Sequence, residues 1–190
     1  MNGRRKKDLF ARDPALAETL VRRKTVYRGR SVDLNVDEVR LPNGKNASRE
    51  YLDHPGAVGV VPFLDAKTVI LVRQYRHPVW RVTLEIPAGK LDKGERPLRC
   101  LERELQEETG YAARRIKPLL NYWPTPAFAN EVRHLYTAED LIPGKFGPDE
   151  DEFLEVVPMA FREALGLVRR GKIMDSKTVI ALLACAVERG

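Results

Sequence analysis

The strongest constraint on the fold is a strand, a glycine-bearing loop and a helix that follow one another within residues 82–110. Residues 82–86 have the apolar character of a strand, and Pro87-Ala88-Gly89 ends it. A helix is predicted from Pro97, a residue favoured at the first helical position, to a stop at Gly110. Leu98, Leu101 and Leu105 recur at steps of three and four, so one stripe of this helix is expected to pack.

Strands are predicted before this unit, and both strands and helices are predicted after it. The patterns indicate strands over 57–63, 67–75, 115–122, 132–137 and 153–157, and helices over 160–169 and 176–188. A mixed sheet with flanking helices accounts for this order, and we therefore predict one α+β domain over residues 56–190.

The N-terminal quarter has a different organisation. Residues 1–24 are polar and basic and predict an arm with a short helix over 14–22. From 25 to 55, Val32, Leu34 and Val36 alternate with polar residues, and a turn at Pro42-Asn43-Gly44 leads to a second strand over 48–52. This pattern predicts a small N-terminal β-sheet.

Composition limits the cellular setting more than it limits the partner. The net charge of +6 suits an acidic ligand, but much of the excess comes from residues 4–7 and says little about partners. The chain has no long apolar run and no apolar signal-peptide core, so no membrane association is expected. Two cysteines, Cys100 and Cys185, are too few for a disulfide framework, so we expect both to be buried packing residues of a protein in a reducing compartment. We therefore expect a cytoplasmic protein.

Three glutamates lie on one side of the central helix. Glu104, Glu107 and Glu108 fall within an arc of about 100° at 100° per residue. Like charges at these spacings destabilise a helix by a few tenths of a kcal/mol per pair, so a neutralising cation would explain them. Oxygen ligands favour Mg²⁺, with Mn²⁺ as an alternative. The competing interpretation is a solvated helix face paired with Arg99 and Arg103.

The residues around these glutamates resemble the Nudix box at all nine of its defined positions. Two of the matching residues are Gly89 and Glu95. The other seven lie in the run Arg103-Glu104-Leu105-Gln106-Glu107-Glu108-Thr109-Gly110-Tyr111, in which the box leaves only the positions of Gln106 and Thr109 undefined. A pattern of this density is far more specific than a lone glycine motif. The resemblance implies the Nudix fold, an α/β/α sandwich around a mixed β-sheet, here with a small N-terminal β-sheet extension.

The resemblance also implies roles for the residues of the box. Glu104 and Glu108 would be the principal metal ligands and catalytic residues, with Glu107 as a further ligand and the backbone carbonyl of Ala88 completing the site. Glu95 and Arg103 would orient the ligating carboxylates. Taken without the family, Glu95 and Arg103 would be interpreted as an ordinary surface salt bridge.

Motifs outside the box are similar to those of the ADP-ribose pyrophosphatase and nucleoside diphosphate sugar hydrolase group. They are residues 72–76 (VRQYR), 85–89 (EIPAG) and 171–175 (GKIMD), together with Pro126, placed 16 residues after Gly110. Ala127 departs from the group, which commonly has glycine there. The resemblance implies Mg²⁺-dependent hydrolysis of a nucleoside diphosphate sugar, with ADP-ribose yielding AMP and ribose 5-phosphate.

An acidic run at residues 149–155 resembles the mobile acidic loop of this group. Its glutamate acts there as general base or as an extra metal ligand. We assign this role first to Glu152 and second to Glu150, because the sequence does not indicate which carboxylate points inward. Without the resemblance, the run would be interpreted as a solvated loop.

Substrate contacts are expected from two regions. Arg76 is the better candidate to hold phosphate oxygens and Arg73 the second, since guanidinium is a fixed bidentate donor; a surface arginine is an equal alternative for Arg73. Arg49, Glu50 and Phe128 are candidates to lie near the nucleoside or its ribose.

The resemblance also predicts a homodimer, because the N-terminal sheet of related enzymes exchanges between subunits; a small monomeric β-flap is the alternative.

Three rival functions stay open. One is hydrolysis of another nucleotide, such as ADP-glucose, GDP-mannose or NADH. A second is a non-catalytic ADP-ribose-binding module. A third is an RNA-directed Nudix enzyme, suggested by the basic arm, although nucleic acid is not the expected partner.

Overall fold

The computed structural model describes residues 10–147 and 153–189, and the chain forms two compact units. The first unit contains the chain up to His54 together with Ala127–Ala129. The second contains Pro55–Pro126 and the chain from Asn130 onward, and it includes the central loop and helix.

The first unit is an antiparallel sheet of three strands, β1 (Thr19–Arg28), β2 (Asp33–Arg40) and β3 (Asn46–Asp53). They lie in the order β1-β2-β3. The β2–β3 hairpin turns through Gly44, whose φ of +84° suits a residue without a Cβ atom. The predicted hairpin is confirmed.

The helix predicted over residues 14–22 is wrong. Only one turn forms there, closed by a 2.9 Å hydrogen bond from the Ala17 amide to the Asp13 carbonyl. β1 then begins at Thr19 and pairs with β2, so residues 19–24 belong to the sheet and not to the arm that we predicted. Backbone pairing with β2 outweighs the weak helical tendency of so short a segment. Because nearly all β1 side chains are exposed, no alternation of apolar residues marks the strand.

The second unit contains two sheets instead of the single mixed sheet that we predicted. The strands are β4 (Ala57–Pro62), β5 (Thr68–Arg76), β6 (Arg81–Glu85), β7 (Ala88–Lys90), β8 (Tyr111–Tyr122), β9 (Arg133–Pro143) and β10 (Leu154–Ala160). One sheet is mixed, in the order β7-β4-β9-β8, with β4 and β9 parallel. The other is antiparallel, in the order β10-β5-β6. The helices are α1 (Pro97–Thr109), α2 (Phe161–Arg169) and α3 (Ser176–Arg189).

β4 separates two hydrophobic cores, because its side chains alternate between the faces of the mixed sheet. Val58 and Val60 pack in a core with α1, whereas Val61 packs in a second core with residues of α2 and α3. Every β4 residue is buried, as expected for a strand covered on both faces. Helices thus lie on both sides of the sheet, and the predicted α/β/α sandwich is confirmed.

The central helix runs as predicted, from Pro97 to a stop at Gly110, which has a left-handed φ of +75°. Its packing stripe differs from the prediction at one position. Leu101 and Leu105 are fully buried, but Leu98 is 45% exposed and Cys100 is buried in its place. At 100° per residue, the arc that is buried is centred nearer to Glu104 and Glu108 than to Leu98.

Candidate active site

Two carboxylates lie within the buried face of α1. Glu104 is 9% exposed and Glu108 is 3% exposed, whereas the Glu107 side chain lies at the edge of this face with 35% exposure. A buried carboxylate loses hydration and must be compensated by hydrogen bonds or by positive charge. The contacts of Glu104 and Glu108 therefore indicate what this face of the helix does.

Both carboxylates meet the backbone of the loop that precedes α1. The Ala88 amide donates a 2.9 Å hydrogen bond to Oε2 of Glu108. At Gly89, an added Cβ would lie 1.8 Å from Cδ of Glu104, so this close approach requires glycine. β7 holds this backbone in place by pairing with β4, with Val58 opposite Gly89.

Arg103 provides positive charge beside these carboxylates. Its Nη1 donates to Oε1 of Glu104 at 2.7 Å and to Oε2 of Glu107 at 3.1 Å. Nε and Nη2 donate to the two oxygens of Glu95 at 3.3 and 3.2 Å. Burial alone would raise the pKa of Glu95, but the hydrogen bonds from Arg103 and from the Asp92 amide, together with the charge of Arg103, lower that pKa. Arg103 thus joins Glu95 to the glutamates of α1, a contact that supports the orienting role suggested for both residues.

The donor set fits a hard divalent cation in its chemistry. Glu104, Glu107 and Glu108 are oxygen ligands on one helix face, and the carbonyl of Ala88 belongs to the backbone they meet. In the ranges 10–147 and 153–189, no three Asp, Glu, His or Cys side chains are grouped closely enough to hold an ion as they stand. In this arrangement Arg103 bridges Glu104 and Glu107, and Glu108 accepts a hydrogen bond from the Ala88 amide. The assigned bases, Glu152 and Glu150, lie outside the described residues.

The two arginines proposed for phosphate binding lie on opposite faces of the β10-β5-β6 sheet. Arg73 is opposite Glu155 on β10 and donates to its carboxylate at 2.8 Å, with both side chains more than half exposed. Arg76 faces Glu85 and donates from Nε and Nη2 to its two oxygens at 2.9 and 2.8 Å. Since side chains alternate along a strand, β5 cannot direct both arginines to one pyrophosphate. The phosphate-binding role of Arg76 stays a prediction.

Glu85 is the centre of a buried charge network that the sequence analysis did not identify. It is 1% exposed and accepts hydrogen bonds from Arg76, from Oγ1 of Thr83 at 2.6 Å and from Nζ of Lys177. Nζ of Lys177 also donates to Oδ1 of Asp175 at 3.0 Å. Burial would raise the pKa of Glu85, but Arg76 and Lys177 lower it to about 2.

The same network attaches the loop before α1 to the start of α3. Oδ2 of Asp175 accepts hydrogen bonds from the amide and from the hydroxyl of Thr178, at 3.0 and 2.6 Å, and so caps the helix. The hydroxyl of Thr178 in turn accepts a 2.9 Å hydrogen bond from the Ile86 amide. Asp175 two residues before a buried lysine at a helix start is the sequence signal that could have revealed this network.

The other candidate substrate contacts belong to the first unit. Arg49 is paired with Glu18, and its side chain is 48% exposed. Glu50 is exposed on the neighbouring position of β3. Phe128 is 54% exposed, and its carbonyl accepts a 2.9 Å hydrogen bond from the Leu52 amide, which ties the segment Ala127–Ala129 to β3. These contacts leave their substrate roles as predictions.

Comparison with known proteins gives two family matches that adjoin along the chain. Residues 53–182 match the NUDIX domain, and residues 18–52 match the nucleoside diphosphate sugar hydrolase N-terminal domain.

Among the helices of residues 10–147 and 153–189, none has the length and apolar character needed to cross a bilayer.

Individual relatives cover most of the chain. An ADP-ribose pyrophosphatase from Bacillus subtilis (strain 168) is 42% identical over 170 residues, covering 88% of this chain and 92% of that protein. A methanol dehydrogenase activator from Bacillus methanolicus is 42% identical over 167 residues, covering 87% and 90%. A crystal structure of an ADP compounds hydrolase has a TM-score of 0.79 and 25% identity, covering 90% of this chain and 94% of that one. The chain therefore belongs to the Nudix hydrolase family, and it has the N-terminal domain of the nucleoside diphosphate sugar hydrolases.

Proposed function

We propose that this enzyme hydrolyses the pyrophosphate of ADP-ribose to AMP and ribose 5-phosphate in a reaction that requires Mg²⁺. The observation that carries the proposal is the convergence of the Glu104 and Glu108 carboxylates on the backbone of Ala88 and Gly89. The identity with an ADP-ribose pyrophosphatase over most of both chains supports the choice of substrate.

Mg²⁺, or Mn²⁺ in its place, would be held by Glu104, Glu107, Glu108 and the carbonyl of Ala88. When bound, such an ion neutralises phosphate charge and lowers the pKa of water. Arg103 contributes by holding the carboxylates of Glu104 and Glu107 on the same side of the helix. Burial of Glu104 and Glu108 keeps bulk water away from the charges that they present.

The remaining steps need a phosphate ligand and a base. Arg76 has one guanidinium edge on Glu85, and its opposite nitrogen, Nη1, is directed elsewhere and suits a phosphate oxygen. Glu152, or Glu150 in second place, would take the proton of the water that attacks phosphorus. Arg49, Glu50 and Phe128 would contact the nucleoside or its ribose.

A second candidate is hydrolysis of a different nucleotide sugar or of a dinucleotide. The specific observation is that GDP-mannose pyrophosphatases are also similar to this chain, at 35% to 38% identity. Identity at this level therefore does not fix the substrate.

The test is a substrate comparison on the purified chain with Mg²⁺. ADP-ribose, ADP-glucose, GDP-mannose, NADH and capped RNA are compared by kcat/KM, with the Glu108→Gln variant as the control for contaminating hydrolases. The proposal predicts that ADP-ribose leads by about tenfold or more, equivalent to about 1.4 kcal/mol of transition-state binding. A different leading substrate would refute the assignment to ADP-ribose. Binding of ADP-ribose without turnover would indicate the non-catalytic module.

We also propose that the enzyme is a homodimer that uses its N-terminal sheet. The proposal is supported by β1, which exposes Leu20, Val21, Val26 and Tyr27 to extents between 46% and 63%. Apolar side chains concentrated on one edge strand are typical of a surface that another chain covers. Light scattering at micromolar concentration tests this, and a monomer mass would contradict it.

A further inference from the structure

Lys177 occupies a position that stability alone does not explain. Its side chain is 5% exposed, and it is the second residue of α3, where the positive end of the helix dipole opposes a cation. Buried ion pairs often stabilise a fold no better than apolar residues of similar volume. A buried lysine at a helix N-terminus therefore suggests a role for its charge outside folding.

The contacts of Lys177 lead to Arg76. Nζ of Lys177 contacts Oε2 of Glu85, the same oxygen that accepts the hydrogen bond from Nη2 of Arg76 at 2.8 Å. Oε1 of Glu85 is occupied by Nε of Arg76 and by Thr83. Four donors thus fill both oxygens of one carboxylate, which leaves Glu85 a single orientation and fixes one edge of the Arg76 guanidinium.

The other edge of Arg76 is available for an anion. Within residues 10–147 and 153–189, Nη1 of Arg76 has no hydrogen-bond partner, and its side chain is 43% exposed. The hydrogen bonds to Glu85 raise the pKa of Arg76, and the charge of Glu108 adds to this effect. The guanidinium therefore contacts the buried network through Nε and Nη2 and is near enough to Glu108 of α1 to be affected by its charge.

Lys177 also sets the charge of the network. Arg76 and Lys177 carry two positive charges against the two negative charges of Glu85 and Asp175, so the group is neutral. Loss of the lysine charge would leave a net charge of −1 beside the site and would bind Arg76 more firmly to Glu85. Both changes weaken the attraction of Arg76 for a phosphate group.

We propose that Lys177 is a positioning residue, which acts through Glu85 to present the Nη1 edge of Arg76 to the pyrophosphate of the substrate. This inference rests on the proposed function, since it assumes a nucleoside diphosphate substrate. Lys177 itself touches no substrate. Because its effect passes through Arg76, variants of Arg76 can distinguish this positioning role from a purely structural one.

The test is a double-mutant cycle of Lys177→Met with Arg76→Ala. Affinity for ADP-ribose is measured by calorimetry and KM by hydrolysis, with thermal unfolding recorded for every variant. Lys177→Met is expected to weaken affinity and raise KM about tenfold. It should also lower the melting temperature, because it removes one partner of a buried ion pair, so affinity is measured well below the unfolding transition of every variant. In the Arg76→Ala background, the same change is expected to alter affinity less than about twofold, because two residues that act as a unit do not add. Lys177→Gln replaces Lys177→Met if the latter does not fold.

Lys172→Met is the matched control, because it removes the same charge from an exposed residue five positions away. It is expected to leave affinity unchanged. Equal effects of Lys177→Met in both backgrounds, or no effect in either, would overturn the inference while wild-type hydrolysis of ADP-ribose keeps the proposed function intact. Wild-type protein that neither binds nor hydrolyses ADP-ribose would overturn both.

Discussion

Substitution of Gly89 by alanine isolates the contact between the loop and Glu104. The new Cβ would lie 1.8 Å from both Cδ and Oε1 of Glu104 and 2.5 Å from its Cγ, whereas ordinary contact begins at 3.4 Å. The carboxylate must therefore withdraw by about 1.6 Å. Because a side-chain tip moves more easily than a strand, β7 is expected to stay paired and the carboxylate to give way.

The expected result of Gly89→Ala is a large loss of activity with a moderate loss of stability. A misplacement of about 1 Å at a reacting centre can cost about 100-fold in rate, so kcat for ADP-ribose should fall by about that factor or more. The free energy of unfolding should fall by about 1 to 3 kcal/mol, the usual cost of an added methyl group in a packed site, because Gly89 does not have a positive φ that would add backbone strain. Steady-state kinetics at saturating Mg²⁺ and thermal unfolding by circular dichroism measure the two effects.

Gly166→Ala in α2 is the matched control for this prediction. Its added Cβ would lie 3.0 Å from Nη1 of Arg170, so it also displaces the tip of a charged side chain, but away from α1. It should leave kcat unchanged. Full activity of Gly89→Ala would refute the reasoning, because it would mean that the reaction does not depend on where Glu104 lies. Unfolding of the variant would instead assign Gly89 to packing.

Three further predictions concern charged and nucleophilic side chains. Glu108→Gln should lower kcat by about 100-fold or more and shift the melting temperature little, because glutamine keeps an acceptor for the Ala88 amide but loses the ligating charge. The pKa of Glu85 is lowered from 4.5 to about 2, so its carboxylate stabilises the folded state. This contribution is fully present above pH 4.5 and is lost as the pH falls toward 2 and the carboxylate is protonated. The difference in unfolding free energy between wild type and Glu85→Gln should thus shrink by about 3 kcal/mol over that window, and a constant difference would contradict the network. Burial raises the pKa of Cys100 and Cys185, that of Cys185 to about 12, so a thiol reagent should label neither until denaturant unfolds the chain.

The sequence predicted well those elements whose period and end signals agree. α1 combines an apolar stripe, Pro97 at its start and Gly110 at its end, and its bounds were predicted within one residue. β4 and β5 are nearly continuous apolar runs and were also found. β1 was missed because its exposed side chains have no apolar alternation, and the three-residue β7 was missed because it is specified by pairing with β4 and not by its own composition.

The candidate site was predictable where the chain itself brings residues together. Helix periodicity places Glu104 and Glu108 on one face, but it gives no hint that this face is the buried one. The network around Glu85 and Lys177 joins residues 92 positions apart, so no local pattern reports it. Alternation along β5 could have separated Arg73 from Arg76 in advance, since their spacing of three puts them on opposite faces.

The catalytic role of Glu104 and Glu108 is tested by the rate of ADP-ribose hydrolysis, with and without Mg²⁺, for the wild type and for a Glu104→Gln, Glu108→Gln double variant purified in parallel. If these carboxylates form the catalytic centre, the wild type yields AMP and ribose 5-phosphate only when Mg²⁺ is present, and a double variant that is still folded yields no detectable product. Hydrolysis by the double variant at the wild-type rate would contradict the assignment of the catalytic centre to the buried face of α1.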